Sequence, residues 1–390
     1  MQDAQALLIL ETAYNISESS RDAMRGIARV ALRAIPDGPV AVARFDSHAR
    51  LQPDSVHFEG ADRDYVSRFF EWQRLASRTT RQSLRALPSH AINFHSIACR
   101  VLPAELEALA RRIFPLCVMA NTGNGSGLYL MFGSRCVREW LRVQLHYFHE
   151  LAHHLAVAWR IRKALNVPDL AAGAPGPCDL PVISGREALR LAVLAQDRAR
   201  AGHRSVEPQR RLLWDELLAG RWSLLDAFTT AGMRYLIAYR NPEGGASLRA
   251  LQERERAVLE LALAGHSGKW IAFELALSES TVARTLRTAL RRIGSADTAP
   301  MVGVQHALFE PLDGVIPGVE LAIARLTPAT ASAGLSDAER AVVTGILGGK
   351  RIAAIARERG TSPRTVSNQI ASVYKKLGVS SRREAIALLT

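Results

Sequence analysis

The chain contains an internal repeat that constrains its fold more than any other feature of the sequence. Residues 251–294 align without a gap onto residues 335–378, at a constant offset of 84 positions and with 14 identities in 44 positions. Self-similarity at a fixed offset indicates a duplicated supersecondary unit. The shared residues include Leu251/Leu335, the Glu-Arg-Ala-Val runs beginning at Glu255/Glu339, Gly265/Gly349, Ile271-Ala272/Ile355-Ala356, Ser278/Ser362, Thr281-Val282/Thr365-Val366 and Gly294/Gly378. They fall where three short helices need caps, turns and core contacts.

Capping signals predict where the helices of the second copy begin and end. Ser336 forms a capping box with the glutamate three residues later, and a second short helix, IAAIARER, ends at Gly360. Ser362 is expected to be the N-cap of a third helix, with Pro363 at its first position and its end near Lys376. Two helices joined by such a short turn form a helix-turn-helix arrangement.

The third helix of each copy has an apolar face and an opposite face that is polar and basic. The core face carries Val366, Ile370, Val373 and Leu377 in the second copy, and Val282, Leu286, Ala289 and Ile293 in the first. The polar face carries Arg364, Thr365, Asn368, Gln369, Ser372, Lys375 and Lys376 in the second copy, and Ser280, Thr281, Arg284, Arg287, Thr288 and Arg291 in the first. Arginine and asparagine can contact base edges in the major groove, and lysines hold phosphates. We therefore expect both helices to bind double-stranded DNA.

Both copies resemble the LuxR-type (also called GerE-type) helix-turn-helix domain of bacterial regulators. The first copy keeps the family's scanning helix as SGKWIA (267–272), and the second keeps the family's ending as VYKKLGVSSRREA (373–385). The resemblance implies that Lys269 contacts a phosphate and that a fourth helix, SRREAIALL (381–389), supports a homodimer. Each copy also departs from the pattern: the first has ALRRIGSADTAP in place of the ending, and the second has RIAAIA in place of the lysine-bearing scanning helix.

The charge of the chain follows the repeat. The formal net charge of the chain is +13. Residues 335–390 hold ten basic and four acidic side chains, and residues 248–294 hold eight basic and five acidic ones. Residues 295–334, between them, hold one basic and four acidic side chains. So basic a chain suits a polyanionic partner. The sequence shows neither a secretory h-region nor a membrane-length apolar run, so we expect a cytoplasmic protein without a membrane partner. The four cysteines, Cys99, Cys117, Cys136 and Cys178, lack CxxC spacing and are expected to be reduced.

Residues 1–166 are expected to form an α+β domain. The pattern predicts two helices (roughly 3–15 and 20–35), strands in 40–46, 90–98, 114–120 and 127–133, and a closing helix over 137–165. This order resembles that of a GAF-type sensory domain, which implies a small-molecule or protein effector. Neither a receiver-type acidic pocket nor a Walker A run is found, which disfavours control by phosphorylation or by ATP hydrolysis.

A connector over 182–246 is expected to precede the DNA-binding domains. It contains a helical stretch (186–200), a helix around PQRRLLWDELLAG, and a hairpin in WSLLDAFTTAGMRYLIAYR that turns at Thr-Ala-Gly. Trp214, Trp222 and Tyr235 fit core positions better than a ligand box or a partner surface. From residue 248 onward the apolar residues recur at helical spacing, and no strand is expected. The predicted fold is multidomain: the α+β domain and the connector are followed by two all-α helix-turn-helix domains at 248–310 and 334–390.

One motif offers a different function, because residues 149–153 read His-Glu-Leu-Ala-His and match the HExxH pattern of zinc metalloproteases. A metal-sensing set of His146, His149 and His153 is a second option, and hydrogen-bonded helix histidines are a third. No third zinc ligand follows at metalloprotease spacing. We therefore expect a transcription regulator that is not an enzyme and needs no cofactor. The alternatives are a zinc-dependent hydrolase and a protein-interaction regulator with degenerate helix-turn-helix units.

Overall fold

The structure, a computed structural model, describes most of the chain. The described residues are 3–35, 38–46, 51–94, 102–123, 125–133, 142–165, 184–201, 211–230, 233–264, 266–301, 303–312, 314–326, 335–347, 350–377, 379, 382, 385 and 389. They group into two compact units, the first made of Met1–Ala199, Asn241–Leu248 and Gly314–Val319, and the second of Arg200–Arg240, Arg249–Asp313 and Glu320–Thr390. Across these described stretches, no helix has the length and apolar content needed to cross a membrane.

The first unit contains one antiparallel sheet with helices packed around it. The strands are β1 (Val40–Phe45), β2 (Val56–Glu59), β3 (His90–Asn93), β4 (Leu116–Asn121) and β5 (Gly127–Phe132), in the spatial order β2-β1-β5-β4-β3. The helices are α1 (Asp3–Tyr14), α2 (Ser20–Ala34), α3 (Arg63–Leu75), α4 (Arg78–Ala86), α5 (Ala104–Ile113), α6 (Arg142–Ala164) and α7 (Gly185–Ala201). The region is therefore a mixed α/β fold with an antiparallel sheet.

Helices cover both faces of this sheet. Successive side chains of a strand point to opposite faces, and the face that carries Ala41 and Ala43 packs against α3, α4 and α5. Phe69 and Phe114 are almost completely buried in this layer. On the opposite face, α2 packs against β1, and α6 packs against β3, β4 and β5.

A buried arginine ties α6 to the end of α1. The side chain of Arg162 donates hydrogen bonds to the backbone carbonyls of Ala13 at 2.8 Å, Asn15 at 2.6 Å and Glu18 at 2.9 Å. The carbonyls of Ala13 and Asn15 lie at the end of α1, where a helix leaves its last acceptors without a partner, and that of Glu18 lies in the loop before α2, so a guanidinium group satisfies all three. Arg162 therefore stabilises the fold of this unit.

The structure confirms the helices and strands predicted for the first unit and adds four elements that were not predicted. The added elements are β2, α3, α4 and α5, and two of the helices begin at side-chain caps readable in the sequence. Asp62 accepts a hydrogen bond from the Tyr65 amide at 2.7 Å, and Ser77 accepts one from the Thr80 amide at 3.0 Å. Residues 95–98 and 137–141 of two predicted elements lie outside the described residues, as do Cys99, Cys136 and Cys178.

The second unit contains another antiparallel sheet and two groups of three helices. The strands are β6 (Arg211–Leu212), β7 (Trp222–Thr230), β8 (Met233–Arg240), β9 (Leu308–Leu312) and β10 (Leu321–Leu326), in the order β6-β9-β10-β8-β7. The helices are α8 (Leu213–Leu218), α9 (Ala246–Arg249), whose last residue belongs to this unit, α10 (Glu253–Leu263), α11 (Gly268–Glu274), α12 (Glu279–Ile293), α13 (Asp337–Leu347), α14 (Ile352–Glu358) and α15 (Pro363–Leu377).

The predicted hairpin is confirmed, but the expectation that no strand follows residue 248 is wrong. Strands β7 and β8 pair antiparallel around residues 231–232, which lie outside the described residues. Strands β9 and β10 extend the sheet, with β10 paired to β8. The central strand β10 has the sequence LAIARL, and so short an apolar run cannot be told from a helix by periodicity alone.

The first group of three helices shares its core with this sheet. One buried cluster joins Leu259, Ala289 and Ile293 of the helices to Trp222 and Leu236 of the hairpin. Trp214, Trp222 and Tyr235 are all buried, as expected for core aromatics. The domain boundaries at 1–166, 182–246, 248–310 and 334–390 stay predictions, although the structure groups α7 with the first unit and the spacer strands β9 and β10 with the second.

Candidate nucleic-acid interface

The two candidate recognition helices, α12 and α15, begin at equivalent serine caps. The Ser278 hydroxyl accepts a hydrogen bond from the Thr281 amide at 3.1 Å, and the Ser362 hydroxyl accepts one from the Thr365 amide at 3.0 Å. The hydroxyl of each threonine also lies 2.8 Å from its serine hydroxyl. Thr281 and Thr365, predicted as DNA contacts, therefore also support the caps that fix where these helices start.

Each helix buries the predicted apolar face. Val366, Val373 and Leu377 of α15 are completely buried, and Ile370 is partly buried. In α12, Val282, Ala289 and Ile293 are buried, and Leu286 packs against them as a partly buried side chain. The amphipathic pattern read from the sequence is confirmed in both copies.

The predicted DNA-contacting residues are divided between exposed and half-buried positions. Arg364, Thr365, Asn368 and Lys375 of α15 are exposed, as are Ser280, Arg284 and Arg287 of α12 and Lys269 of α11. Thr281, Thr288, Arg291, Gln369 and Ser372 are half-buried. The Gln369 side-chain oxygen accepts a hydrogen bond from Arg359, so its amide is already held by the turn that precedes α15.

Lys376 was predicted as a DNA contact but does not lie on this exposed face, so it is not among the residues available to DNA. Its ammonium group donates a hydrogen bond of 2.6 Å to the carboxylate of Glu339, and both side chains are about nine-tenths buried. Ser372 also turns inward, because its hydroxyl donates to the same carboxylate at 2.8 Å. Both residues connect α15 to the start of α13. Lys376 is buried and Ser372 is half-buried, whereas the sequence pattern predicted both on the exposed face.

The same buried ion pair occurs in the first copy. Arg292 and Glu255 occupy the positions equivalent to Lys376 and Glu339, and their side chains meet at 2.9 Å with 3% and 9% exposure. The pair was not singled out from the sequence, although both partners lie in the repeat. Each copy thus joins its first helix to the end of its recognition helix through one charged contact.

Several hydrogen bonds offset the cost of burying Glu339. Burial raises the pKa of this carboxyl, but hydrogen bonds from Lys376, the Ser336 amide and Ser372 outweigh the effect, so that the pKa lies below its usual value. Glu339 is therefore a carboxylate at neutral pH. It also completes the predicted capping box, because it accepts from the Ser336 amide at 2.8 Å while its own amide donates to the Ser336 hydroxyl at 3.3 Å.

Two buried arginines hold the carboxyl ends of the recognition helices. Arg249 donates to the backbone carbonyls of Arg291 at 2.6 Å and Arg292 at 3.3 Å, at the end of α12. Arg234, on strand β8, donates to the carbonyls of Lys376 and Leu377 at the end of α15. Cations at these positions satisfy the last carbonyls and oppose the negative end of the helix dipole.

Burial makes Arg234 an unusual side chain. It is 2% exposed, and burial lowers the pKa of its guanidinium to about 10. It therefore stays protonated at neutral pH and keeps its interaction with the helix end. Strand β8 in this way connects the sheet of the second unit directly to the second recognition helix.

The two copies differ on their scanning helices, α11 and α14. Trp270 is 40% exposed and Phe273 is 84% exposed on α11, and the ring of His266 stacks on Trp270 at 3.8 Å between centroids. The equivalent positions in the second copy are Ala354, Arg357 and Lys350. Sequence reasoning missed this patch, although both aromatic residues lie off the apolar face set by Ile271 and Leu275.

The HExxH residues are engaged in contacts within the first unit. The Nδ1 atom of His149 lies 3.1 Å from the amide nitrogen of Ala91 on β3, which donates to it. Glu150 is 3% exposed; its carboxylate lies 3.1 Å from His146 and accepts a hydrogen bond from Ser247.

These contacts give the histidines a role in packing α6. Burial and the neighbouring histidines lower the pKa of His149, and burial lowers that of His153 despite the opposing effect of Glu150. Among the residues that the structure describes, no three His, Cys, Asp or Glu side chains are arranged to hold a metal ion. The geometry of this helix therefore gives no support to the zinc hydrolase alternative.

Comparison with known families matches the two helical groups to one family. Residues 249–302 and 333–389 match the family described as "Bacterial regulatory proteins, luxR family". Both helical groups carry a luxR-family domain. The first match contains α10, α11 and α12, and the second contains α13, α14 and α15. The match indicates a DNA-binding transcriptional regulator, a class that is typically non-enzymatic. No curated protein is significantly similar to the chain.

Proposed function

We propose that this protein is a sequence-specific transcription regulator that binds double-stranded DNA through α12 and α15. The observation that carries the proposal is the duplicated exposed face: each luxR-family domain presents arginine, serine, asparagine or lysine side chains on a helix whose opposite side is packed in the core. Such a helix fits the major groove.

The exposed residues are assigned by what their side chains can contact. Arg364 and Asn368 of α15 are proposed to contact base edges, and Arg284 and Arg287 of α12 are proposed to do the same in the first copy. Lys375 and Lys269 are proposed to bind phosphates, and Ser280 fits either role. Two linked sites in one chain raise affinity through effective concentration, and a homodimer would add two more.

Residues 1–166 are proposed to act as a GAF-like sensory domain that alters DNA binding when it binds an effector. Supporting features are the antiparallel sheet and the helices on both of its faces. The chain is proposed not to be an enzyme, and its regulation is attributed to effector binding.

The experiment that tests DNA binding is selection of bound sequences from random duplex DNA by the full chain, with each copy disabled in turn. Asn368→Ala should weaken binding to the selected site by about 1–3 kcal/mol and relax its sequence at one position. Arg284→Ala should do the same for a second half of the site. Arg254→Ala, which removes an exposed arginine on α10, outside both recognition helices, is the matched control and should leave the selected sequence unchanged.

A second candidate function applies to the first copy alone, namely binding to another protein. The exposed aromatic pair Trp270 and Phe273 favours it, because exposed aromatics are typical of protein interfaces. The same selection experiment separates the two functions. If Arg284→Ala leaves the selected sequence and affinity unchanged while Asn368→Ala weakens binding and relaxes the site, the first copy does not read DNA and the second candidate is favoured for it.

A further inference from the structure

The carboxyl ends of both recognition helices lie on one hairpin of the second unit, formed by β7 and β8. The end of α12 lies on β7, where the Ser223 hydroxyl donates to the carbonyl of Arg292 at 3.4 Å. Gly294 follows α12 at φ +83°, and a Cβ atom on it would lie 2.2 Å from the carbonyl oxygen of Leu224. Glycine alone tolerates both this backbone conformation and this close approach. The first luxR-family domain is therefore packed directly on β7.

The end of α15 lies on the other strand of the hairpin. Arg234 of β8 is 2% exposed and donates hydrogen bonds to the carbonyl of Lys376 at 3.2 Å and to that of Leu377. Near the same end, the Lys375 ammonium group lies 3.5 Å from the carboxylate of Asp297, which follows α12 in the chain. Helix α15 also packs against the short turn Ala299–Met301. The second luxR-family domain thus contacts both the hairpin and the segment that follows the first recognition helix.

The repeat shows that the second domain takes its helix cap from outside itself. In the first copy the cap is Arg249, which precedes α10 and donates to the carbonyls at the end of α12. At the same offset of 84 positions the second copy has Ala333, whose side chain has no hydrogen-bond donor. Arg234 of the hairpin holds the end of α15 in its place. The second recognition helix therefore depends on the sheet that the first domain shares.

The hairpin limits how far apart the two recognition helices can lie. Arg234 pairs with Thr229, which is five residues from Leu224 on β7, and this length of strand spans about 17 Å. Each recognition helix has 15 residues and is therefore about 22 Å long. With a helix-to-strand contact at each end, the centres of α12 and α15 are at most about 50 Å apart. This limit corresponds to roughly one and a half turns of B-DNA, or about 15 base pairs.

We infer that the two luxR-family domains are docked on the β7–β8 hairpin as one DNA-reading body, so that α12 and α15 recognise a composite site with a single fixed spacing of at most about 15 base pairs. The inference rests on the proposed DNA-binding function and adds the arrangement of its two half-sites. Two domains joined only by a flexible tether would accept many spacings, because the entropic cost of closing a longer loop grows slowly.

Binding of the full chain to a series of duplexes tests the fixed spacing. The selection experiment identifies the half-sites that depend on Arg284 and on Asn368, and the duplexes carry these half-sites at centre-to-centre spacings of about 5 to 25 base pairs. Affinity should peak at one spacing within the limit. Adding about five base pairs should weaken binding by about tenfold or more, because it turns the second half-site to the opposite side of the duplex.

The variant Arg234→Met removes the hydrogen bonds that hold α15 on the hairpin. It should lower the affinity at the peak until the whole series varies by less than about threefold. Arg240→Gln is the matched control, since Arg240 is an exposed arginine of the same strand that pairs with Glu320. This control should keep the peak at the same spacing and with the same height.

A second measurement tests the docking without DNA. Spin labels carried by unnatural amino acids at Arg254 of α10 and Ala341 of α13, both exposed positions, report the distance between the two domains by double electron–electron resonance. The wild-type background should give one narrow distance distribution, and Arg234→Met should give a broad one. Both measurements on the wild-type background decide the matter even if Arg234→Met does not fold.

Each outcome bears on a different part of the inference. A broad wild-type distribution, or a wild-type affinity that varies by less than about threefold over the series, would overturn it. Selection of a single half-site would overturn the composite site and favour protein binding by the first copy. A narrow distribution in a chain that binds no duplex would support the docking and contradict the proposed function, and with it the composite site.

Discussion

Replacing Lys376 with methionine should destabilise α15 without removing a DNA contact. The substitution deletes the ammonium group that lies 2.6 Å from the Glu339 carboxylate and leaves that carboxylate with a side-chain exposure of 6%. Breaking a fully buried ion pair costs roughly 3–5 kcal/mol. Glu339 keeps its hydrogen bonds to Ser336 and Ser372, which partly compensate for the loss. We therefore expect a loss of about 2–3 kcal/mol in the local stability of the second luxR-family domain.

Hydrogen exchange measured by mass spectrometry reports this local loss directly. Amides of α13 and α15 should exchange roughly 30- to 150-fold faster in Lys376→Met, while amides of the first unit should be unaffected. The neighbouring variant Lys375→Met is the matched control, since Lys375 is 63% exposed and its ion pair with Asp297 at 3.5 Å is also exposed. Exposed pairs of this kind contribute little to stability. Equal exchange in the two variants, or a change of less than threefold in Lys376→Met, would refute the reasoning.

Three further predictions concern the backbone, the pH and the salt dependence of the protein. Ala276 adopts φ +52° where the second copy has Gly360 at φ +61°, a backbone conformation that favours glycine. Ala276→Gly should therefore stabilise the first domain by about 0.5–1 kcal/mol, and Gly360→Ala should destabilise the second by about 1 kcal/mol. Both changes can be measured by the same exchange method. The pKa of His149 is lowered by burial and by neighbouring histidines, so the unfolded chain takes up a proton near pH 6.5 more readily than the folded state does. The contribution of His149 to stability should therefore be constant above that pH and fall below it. His149→Gln should flatten the dependence of the melting temperature on pH. Lys375→Gln should reduce the slope of log affinity for DNA against log salt by about 0.9, whereas a slope equal to wild type would remove Lys375 from the interface.

The repeat made much of the second unit predictable from sequence. Capping serines, an apolar face and glycines after several of the helices are local signals, and the structure confirms the helices that they predicted. The burial of Lys376 could not be predicted in the same way, because helical periodicity places this residue at the edge of the polar face. Only the carboxylate of Glu339, 37 positions earlier in the chain, turns that position inward.

The strands of the spacer between the two domains could not be predicted from the sequence, because their partners are distant in the chain. The strand β10 pairs with β8, whose residues lie more than 80 positions earlier in the chain, and no local signal records such a partner. In the first unit, α3 carries a capping aspartate before it, but its apolar face is made of aromatic residues that also suit a strand. A small pocket beside α4 is lined by side chains from three strands and from three helices or their flanking loops, so it forms only when the fold is assembled.

The central claim is that the exposed faces of α12 and α15 bind duplex DNA, and its most direct test is a fluorescence anisotropy titration of the full chain with a labelled random duplex over a range of salt. Binding is expected at low salt, and log affinity should fall against log salt with a slope of about −3 or steeper. The slope should become shallower when Arg284, Arg287, Arg364 and Lys375 are replaced together by glutamine. Absence of binding at the lowest salt, or an affinity that does not depend on salt and survives the fourfold replacement, would contradict it.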